Sequence, residues 1–448
     1  MNSSWERSLM RGILSSAKAP LERQMVRTPF LAFTDCTPLM LSFHGEESYD
    51  GVIMFDLLKK RYSVLLVALS LGMVQACVSV NSRLSVEHGD YPTGTREFVL
   101  QSCMVLADGE RSCPPTEILI QSWYPAEVNG EPLAPYILNP DVAAPALADV
   151  SGAPEFLMSK IARIETSSHL NAGVSSRLAK YPLILFSHGY HSLKMQNTAL
   201  LEQLASQGNI VLSVQHVYDA AVTVMPDGRI IPSVAPTPET KDLDLDDAYR
   251  GGWTNRRVGE DRAVLADLDK IPKDLARAID KDRIAVMGHS MGGSTITAVC
   301  REEENLKACI NLDGPLRGSR QKADLKHPLL FIEAEYPQYE NAEEEVFYKN
   351  RIAEFKTTAK AGYLYLRLKD AGHLNFTDYP LVSSFPLNWF SRSYGSLEAK
   401  KSVGINYFLV KSFLDHAFAG ENIILSQAEL ERFKEVEVLD QAPVRAGR

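Results

Sequence analysis

The stretch that most constrains this chain is Arg283-Ile-Ala-Val-Met-Gly-His-Ser-Met-Gly-Gly-Ser294. Ile284 to Met287 are apolar, with charge on one side and glycine on the other, which is the pattern of a short buried strand. Gly288-His289-Ser290-Met291-Gly292 follows, and Ser294 to Cys300 is compatible with a helix. A strand that turns into a helix through a serine flanked by glycines is a nucleophile elbow. The turn is so tight that positions two before and two after the serine, here Gly288 and Gly292, must lack bulk. The positive end of the helix then lies beneath the Ser290 hydroxyl. A G-x-S-x-G pattern alone arises by chance in roughly one chain in six or seven of this length. What decides is whether later strands deliver the partners that a serine needs.

A serine hydroxyl is a poor nucleophile near neutral pH and needs an imidazole base that is itself oriented by a carboxylate. In a sheet of this kind the order is Ser, acid, His, each at the C-terminal end of its own strand. Asp313 directly follows the apolar run Ala308 to Leu312, and Gly314-Pro315 then turns the chain away. His373 lies in Lys369-Asp-Ala-Gly-His-Leu-Asn-Phe376, a glycine-containing loop after the apolar run Tyr363 to Leu368. Asp313 and His373 are therefore the expected acid and base. The other histidines fit less well: His327 precedes Pro328 at the start of a strand, His416 falls in the last long helix, and His289 sits inside the elbow, where support is its expected role. An oxyanion needs two backbone N–H groups held ready. Met291, after the nucleophile, is one expected donor. Tyr190, at the end of Phe186-Ser-His-Gly-Tyr190, is the other, with Gly189 permitting the bend and Ser187 and His188 bracing the loop.

Composition sets the outer bounds. A chain of 448 residues, 45% hydrophobic and 23% charged, can bury a sizeable core in one large α/β domain or two average ones. The net charge of -9 argues against a nucleic-acid partner. The six cysteines contain no C-x-x-C pair and no metal-ligand spacing with histidine, so neither a metal nor a cofactor is expected.

The N-terminal region reads as targeting. Met54-Phe-Asp-Leu-Leu-Lys-Lys-Arg61 is charged, Tyr62 to Val74 is an apolar run of about 13 residues, and Val74-Gln-Ala-Cys77 closes it. This is the layout of an export signal, too short for a membrane span of roughly 20 residues. Cys77 after Ala76 is similar to the lipidated cysteine of a bacterial lipoprotein, although Gln75 stands where a small residue is usual. The expected location is exported: periplasmic, secreted, or held on an outer membrane through lipidated Cys77. Such a signal starts a chain, so translation is expected to begin at Met54, with 1–53 a misassigned, disordered extension. The remaining divisions are a tether at 77–90, a catalytic domain at 91–420 and a tail at 421–448.

Within that domain, Phe98 to Leu106 and Thr116 to Tyr124 flank Asp108-Gly109 as an antiparallel hairpin, with Cys103 and Cys113 on either side of the turn. Asn139 to Leu147 and Ser167 to Lys180 read as loops, with a helix between them at Glu155 to Ile164. From Pro182 the pattern alternates: strand to Phe186, helix over Lys194 to Ser206, strand over Asn209 to Val214. This implies a parallel sheet flanked by helices. The polar stretch His216 to Arg256, with its acidic run Lys241 to Asp247, is too long for an ordinary connection and reads as a lid-like insertion or a flexible excursion. A helix is expected from Arg257 to Lys270, a strand at Leu329 to Glu333, and a closing helix over Ser396 to Ala419.

The runs Tyr181 to Gly189, Leu204 to His216, Gly288 to Gly293, Ile310 to Asp313 and Gly372-His373 resemble the platelet-activating-factor acetylhydrolase family, a group VII phospholipase A2 type with an α/β-hydrolase fold. The resemblance runs from about Phe98 to Ala419. It implies Ser290 as nucleophile, Asp313 as acid, His373 as base, Tyr190 and Met291 as oxyanion donors, and no metal. It also implies a serine esterase that cleaves short or oxidised acyl esters, including the sn-2 position of phospholipids. This chain differs in the His216 to Arg256 stretch and in Tyr190-His191. Bacterial relatives of the family also resemble dienelactone hydrolases and polyester hydrolases, so a general short-chain carboxylesterase is the alternative. An acyltransferase or a non-catalytic binding module stands further off.

Overall fold

In a computed structural model, the structure describes residues 83–443 except 85, 153, 236–239, 241, 322, 337–338, 340, 383–392 and 422–424. The expected extension 1–53, the export signal at 54–76 and Cys77 lie outside the described residues.

The fold is a mostly parallel sheet covered by helices on both faces. Its strands are β1 (Thr93–Val105), β2 (Arg111–Glu127), β3 (Leu133–Pro135), β4 (Glu165–Leu170), β5 (Gly173–Val174), β6 (Tyr181–Ser187), β7 (Ile210–Gln215), β8 (Val222–Val224), β9 (Ile230–Pro232), β10 (Ile279–His289), β11 (Ala308–Leu312), β12 (Leu329–Ala334), β13 (Tyr363–Leu368) and β14 (Val436–Ala442). The main sheet runs β14-β13-β12-β11-β10-β6-β7-β2-β1-β4-β3, with β8 and β9 forming a separate hairpin. From β7 through β6, β10, β11 and β12 to β13 every pair is parallel, whereas β1–β2, β2–β7 and β13–β14 are antiparallel.

The central strands are continuously apolar because both of their faces are covered. Along β6, Ile184 and Phe186 join one hydrophobic cluster while Leu183 and Leu185 join the other. β10 divides the same way, with Ala285 and Met287 on one face and Ile284 and Val286 on the opposite one. The period-2 alternation thus builds two cores, and the strand ends of β6, β10, β11 and β13 converge at one rim of the sheet.

The expected hairpin is present, with Gly109 at φ 84° in its turn. Cys103 and Cys113 are bridged across it, and Cys300 and Cys309 form a second, buried disulfide.

Several expectations need correction. The stretch at Asn139 to Leu147 is not a loop: after Asn139, in the left-handed region, α1 spans Pro140–Ser151 with Pro140 in its first turn. α2 (Glu155–Ala162) follows as expected. Ser167 to Lys180 holds β5 and most of β4; β4 is hidden in the sequence because its inward residues are Thr166 and Ser168, which bond to the Ala134 carbonyl and the Glu202 carboxylate. α3 occupies Thr198–Ser206, starting four residues later than expected.

From Leu243 the presumed excursion is helix: α4 runs Leu243–Ala266, with the Asp242 carboxylate accepting from the Asp244 and Leu245 amides. The helix expected from Arg257 is its second half; the first half buries Asp247, Gly251, Thr254 and Arg256 beside Trp253 and so shows no apolar stripe from which to read it. After α5 (Lys273–Ala278), α6 (Met291–Glu302), α7 (Ala342–Thr358) and the short α8 (Tyr379–Val382), the closing helix is α9 (Ala399–Ala419). The expected tail instead forms α10 (Gln427–Glu431) and β14, which pairs with β13 through residues such as Leu364 and Gln441. The tether likewise ends earlier than expected: Leu84 is buried and its amide donates to the Glu165 carbonyl. Among the described residues no helix is long and apolar enough to cross a membrane.

Candidate active site

The elbow joins β10 to α6, and its geometry explains its glycines. Ser290 has φ 57° and ψ −125°, outside the regions an L-residue prefers. A Cβ on Gly288 would lie 2.3 Å from the Gly292 carbonyl oxygen, and one on Gly292 would lie 1.9 Å from that of Ser187. The Ser290 amide donates to the Leu312 carbonyl at 3.0 Å, which ties the turn to the end of β11.

One residue later Asp313, also at positive φ (52°), donates its amide to Ile332 and accepts from the Ala334 amide through Oδ1 at 2.8 Å. Its second oxygen, Oδ2, lies 2.7 Å from His373 Nδ1. His373 Nε2 lies 2.9 Å from Ser290 Oγ. With Nδ1–H donated to the carboxylate, Nε2 is the free base facing the hydroxyl. The His373 side chain keeps 20% of its surface exposed, so the three groups open to solvent along one side.

Tyr190 and Met291 line the same cleft as Ser290 and His373. The loop before Tyr190 is braced by more groups than the expected Ser187 and His188. The His216 amide donates to His188 Nε2 at 3.2 Å, so His188 carries its proton on Nδ1 and donates to the Gly189 carbonyl at 2.7 Å. His216 Nδ1 faces Glu260 at 2.8 Å, which leaves Nε2 to accept from Ser187 Oγ at 2.6 Å. Burial, chiefly, together with the nearby Arg257 guanidinium, holds both imidazoles well below their ordinary pKa. Arg257, fully buried, grips both Asp219 oxygens at 2.7 Å and donates to the His188 and Gly189 carbonyls. The roles of Arg257, Asp219, Glu260 and Gln196 were not visible in the sequence, because a buried charged residue reads as a solvated one. His327 and His416 do not line the cleft; they face the Glu303 carbonyl and Glu421.

The cleft holds about 900 Å³. The acidic run backs its wall, holding the arginines that line it: Asp246 pairs with Arg250 and Arg317 at 2.8 and 2.6 Å, and Asp247 with Arg351 at 2.5 Å. Aromatic rings cover other parts of it, with Phe331 and Tyr365 stacked at 5.0 Å and Tyr339 and Tyr348 at 5.5 Å. Glu333 adjoins Asp313 and pairs with Arg367 at 2.6 Å; burial first, with Asp313 adding, raises its carboxyl above the usual range. No group of three or more His, Cys, Asp or Glu that would hold a metal occurs among the described residues.

Sheet order, elbow and strand-end loops define an α/β-hydrolase fold. A solved structure of a ferulic acid esterase from Streptomyces cinnamoneus superposes with a TM-score of 0.64 at 23% identity, covering 81% of this chain and 100% of that one. The family profile described as platelet-activating factor acetylhydrolase, isoform II, matches residues 76–227 and 255–439, and the chain belongs to that family. A platelet-activating factor acetylhydrolase of Cavia porcellus is 27% identical over 288 residues, which is 59% of this chain and 64% of that protein. The Gallus gallus protein of the same name is 24% identical over 257 residues, 50% and 59% of the two chains. Cutinase est2 of Thermobifida alba is 28% identical over 221 residues, 47% and 59%. The matched region therefore spans 64% and 59% of these acetylhydrolases' own lengths. The profile's break falls within the polar stretch by which the sequence already departed from the family.

Proposed function

We propose that this chain is a serine carboxylic-ester hydrolase. Ser290 is the nucleophile, His373 the base, Asp313 the group that orients the base, and the Tyr190 and Met291 amides the oxyanion donors. The observation that carries this reading is the chain Ser290 Oγ, His373 Nε2, His373 Nδ1, Asp313 Oδ2, with contacts of 2.9 and 2.7 Å. His373 takes the hydroxyl proton as Ser290 attacks the ester carbonyl, then returns it to the departing alkoxide. The acyl-enzyme is hydrolysed by a water that His373 deprotonates, and Asp313 stabilises the transient imidazolium without itself accepting the proton.

Membership of the acetylhydrolase family favours short or oxidised acyl groups, including those at the sn-2 position of phospholipids. A general short-chain or polyester hydrolase is the second reading. It is favoured by the charged and aromatic cleft wall, with Arg250, Arg317 and Tyr348, and by the cutinase among the relatives. The experiment is an acyl-chain-length series of p-nitrophenyl esters beside a phospholipid with a short sn-2 chain, run with wild type and Ser290→Ala. Undiminished hydrolysis by Ser290→Ala would sink the assignment. Equal turnover of long and short chains would sink the short-acyl preference, and added alcohol diverting most product to new ester would make the enzyme an acyltransferase.

Export fits the two disulfides, which persist in oxidising compartments. Membrane attachment through Cys77 is tested by fractionating cells that express Cys77→Ser: release from the membrane fraction is expected, and unchanged sedimentation would argue against it.

A further inference from the structure

We propose that Gln196 and His289 are positioning residues that couple the oxyanion loop to the catalytic base, through a hydrogen-bond chain running from the Gly189 amide to the His373 carbonyl. This rests on the reading of Ser290 and His373 just given.

Both side chains are buried, at 2% and 1% exposure. The Gly189 amide donates to Gln196 Oε1 at 2.7 Å, which fixes the orientation of the Gln196 amide, since only its oxygen accepts. Gln196 Nε2 therefore faces His289 Nδ1, 2.8 Å away, and must donate to it. That leaves Nδ1 without a proton and places the His289 proton on Nε2. Nε2 lies 3.0 Å from the backbone carbonyl of His373, an obligate acceptor. The donor sense of the whole chain thus follows from one backbone amide at one end and one carbonyl at the other. A proton on His289 Nδ1 would set two donors against each other at 2.8 Å, so the imidazole stays neutral. Burial, with the adjacent His373 adding, depresses its pKa well below the usual value in the same sense.

The two ends of the chain matter. Gly189 immediately precedes Tyr190, whose amide is the proposed oxyanion donor. His373 is the base, and its ring packs against that of His289 with centroids 4.5 Å apart. His289 also directly precedes Ser290. One buried pair therefore includes the nucleophile's neighbour and touches the base's own backbone and the oxyanion loop. In the opposite tautomer, the His289 Nε2 lone pair would face the His373 carbonyl oxygen, and the base would be pushed off its line to Ser290. A misplacement of about 1 Å at a reacting group costs on the order of 10²-fold in rate.

The test compares His289→Phe, His289→Gln and Gln196→Leu in steady-state hydrolysis of a short p-nitrophenyl ester, with imidazole nitrogen NMR on the histidine-labelled protein. His289→Phe keeps a ring beside Phe376 but breaks the chain. It is expected to lower kcat by about 10- to 100-fold and leave KM within about threefold. His289→Gln spans the same partners, accepting from Gln196 and donating to the His373 carbonyl, and is expected to recover at least half of that loss on a logarithmic scale. Wild-type His289 is expected to show protonated Nε2 and bare Nδ1 from pH 6 to 8, and Gln196→Leu a mixture of tautomers. Wild-type kcat in His289→Phe, no recovery in His289→Gln, or a protonated Nδ1 in the wild type would each overturn the proposal. If His289→Phe does not fold, Gln196→Leu and the wild-type spectrum still decide. The tautomer readout needs no turnover, so it separates failure of this coupling from failure of the Ser290 assignment, which would appear as activity retained in Ser290→Ala.

Discussion

A Cβ placed on Gly292 would sit 1.9 Å from the carbonyl oxygen of Ser187, so the first turn of α6 and the end of β6 touch backbone to backbone. No side chain separates the elbow from the oxyanion loop, and neither can shift without the other. Gly292→Ala is expected to lower kcat/KM by more than about 100-fold. The control is Gly404→Ala, in α9, where nothing lies within 4 Å; there the gain in helix propensity is expected to stabilise by about 0.5–1 kcal/mol. Esterase assays and thermal melts on both variants check the pair. Near-normal activity in Gly292→Ala would mean that the contact is not rigid.

In the proposed mechanism Asp313 acts through His373 rather than on the substrate, so its removal should affect rate and spare the fold. Asp313→Asn keeps the volume but presents a donor or a neutral acceptor to Nδ1, which favours the wrong tautomer. A fall in kcat of about 10³- to 10⁴-fold, with a nearly unchanged melting temperature, is expected. Circular dichroism melts beside single-turnover kinetics measure both.

Arg257 and Asp219 form a fully buried ion pair with two contacts at 2.7 Å. Arg257→Met leaves the Asp219 carboxylate buried and unpaired, and a loss of about 3–5 kcal/mol is expected. The double variant Arg257→Met with Asp219→Leu should recover much of that stability, because the Asp219 carboxylate is removed together with its partner. It should not recover activity, because the His188 and Gly189 carbonyls lose their guanidinium donor. Urea unfolding and esterase assays on the full double-mutant cycle test the split.

The depressed pKa of His289 makes a signed prediction about stability. Above about pH 6.5 the imidazole is neutral in both the folded and the unfolded chain and adds no pH dependence. As pH falls through that value the unfolded chain takes up a proton that the folded chain refuses, so this group makes stability fall with acidification. His289→Phe removes the contribution. Urea unfolding at pH 7 and pH 5.5 should therefore show a smaller acid loss in the variant than in wild type, by up to about 1.4 kcal/mol per pH unit. Equal losses would contradict a neutral, buried imidazole.

The parts of this molecule readable in its sequence are those that apolar patterning and glycine announce. β6, β10, β11 and β13 are apolar runs that end in Ser187, His289, Leu312 and Leu368, and the residues at or just beyond their ends form the site. Gly288 and Gly292 marked the elbow because steric exclusion leaves no alternative there. The parts that were missed are those whose buried faces are polar. Thr166 and Ser168 hide β4, and the buried Asp247, Gly251, Thr254 and Arg256 hide the first half of α4. β14 shows no clear strand pattern because Val436 to Ala442 is only half buried at a sheet edge, where alternation is weak. Gln196 carried no signal at all: its meaning comes from the Gly189 amide and His289 ring on either side of it.

Ser290 as the nucleophile is tested by peptide mapping of the purified enzyme after reaction with a fluorophosphonate. One adduct per chain is expected, on the peptide containing Ser290, formed far more slowly in His373→Ala and absent in Ser290→Ala. An adduct on another serine, or labelling of Ser290→Ala at the wild-type rate, would contradict it.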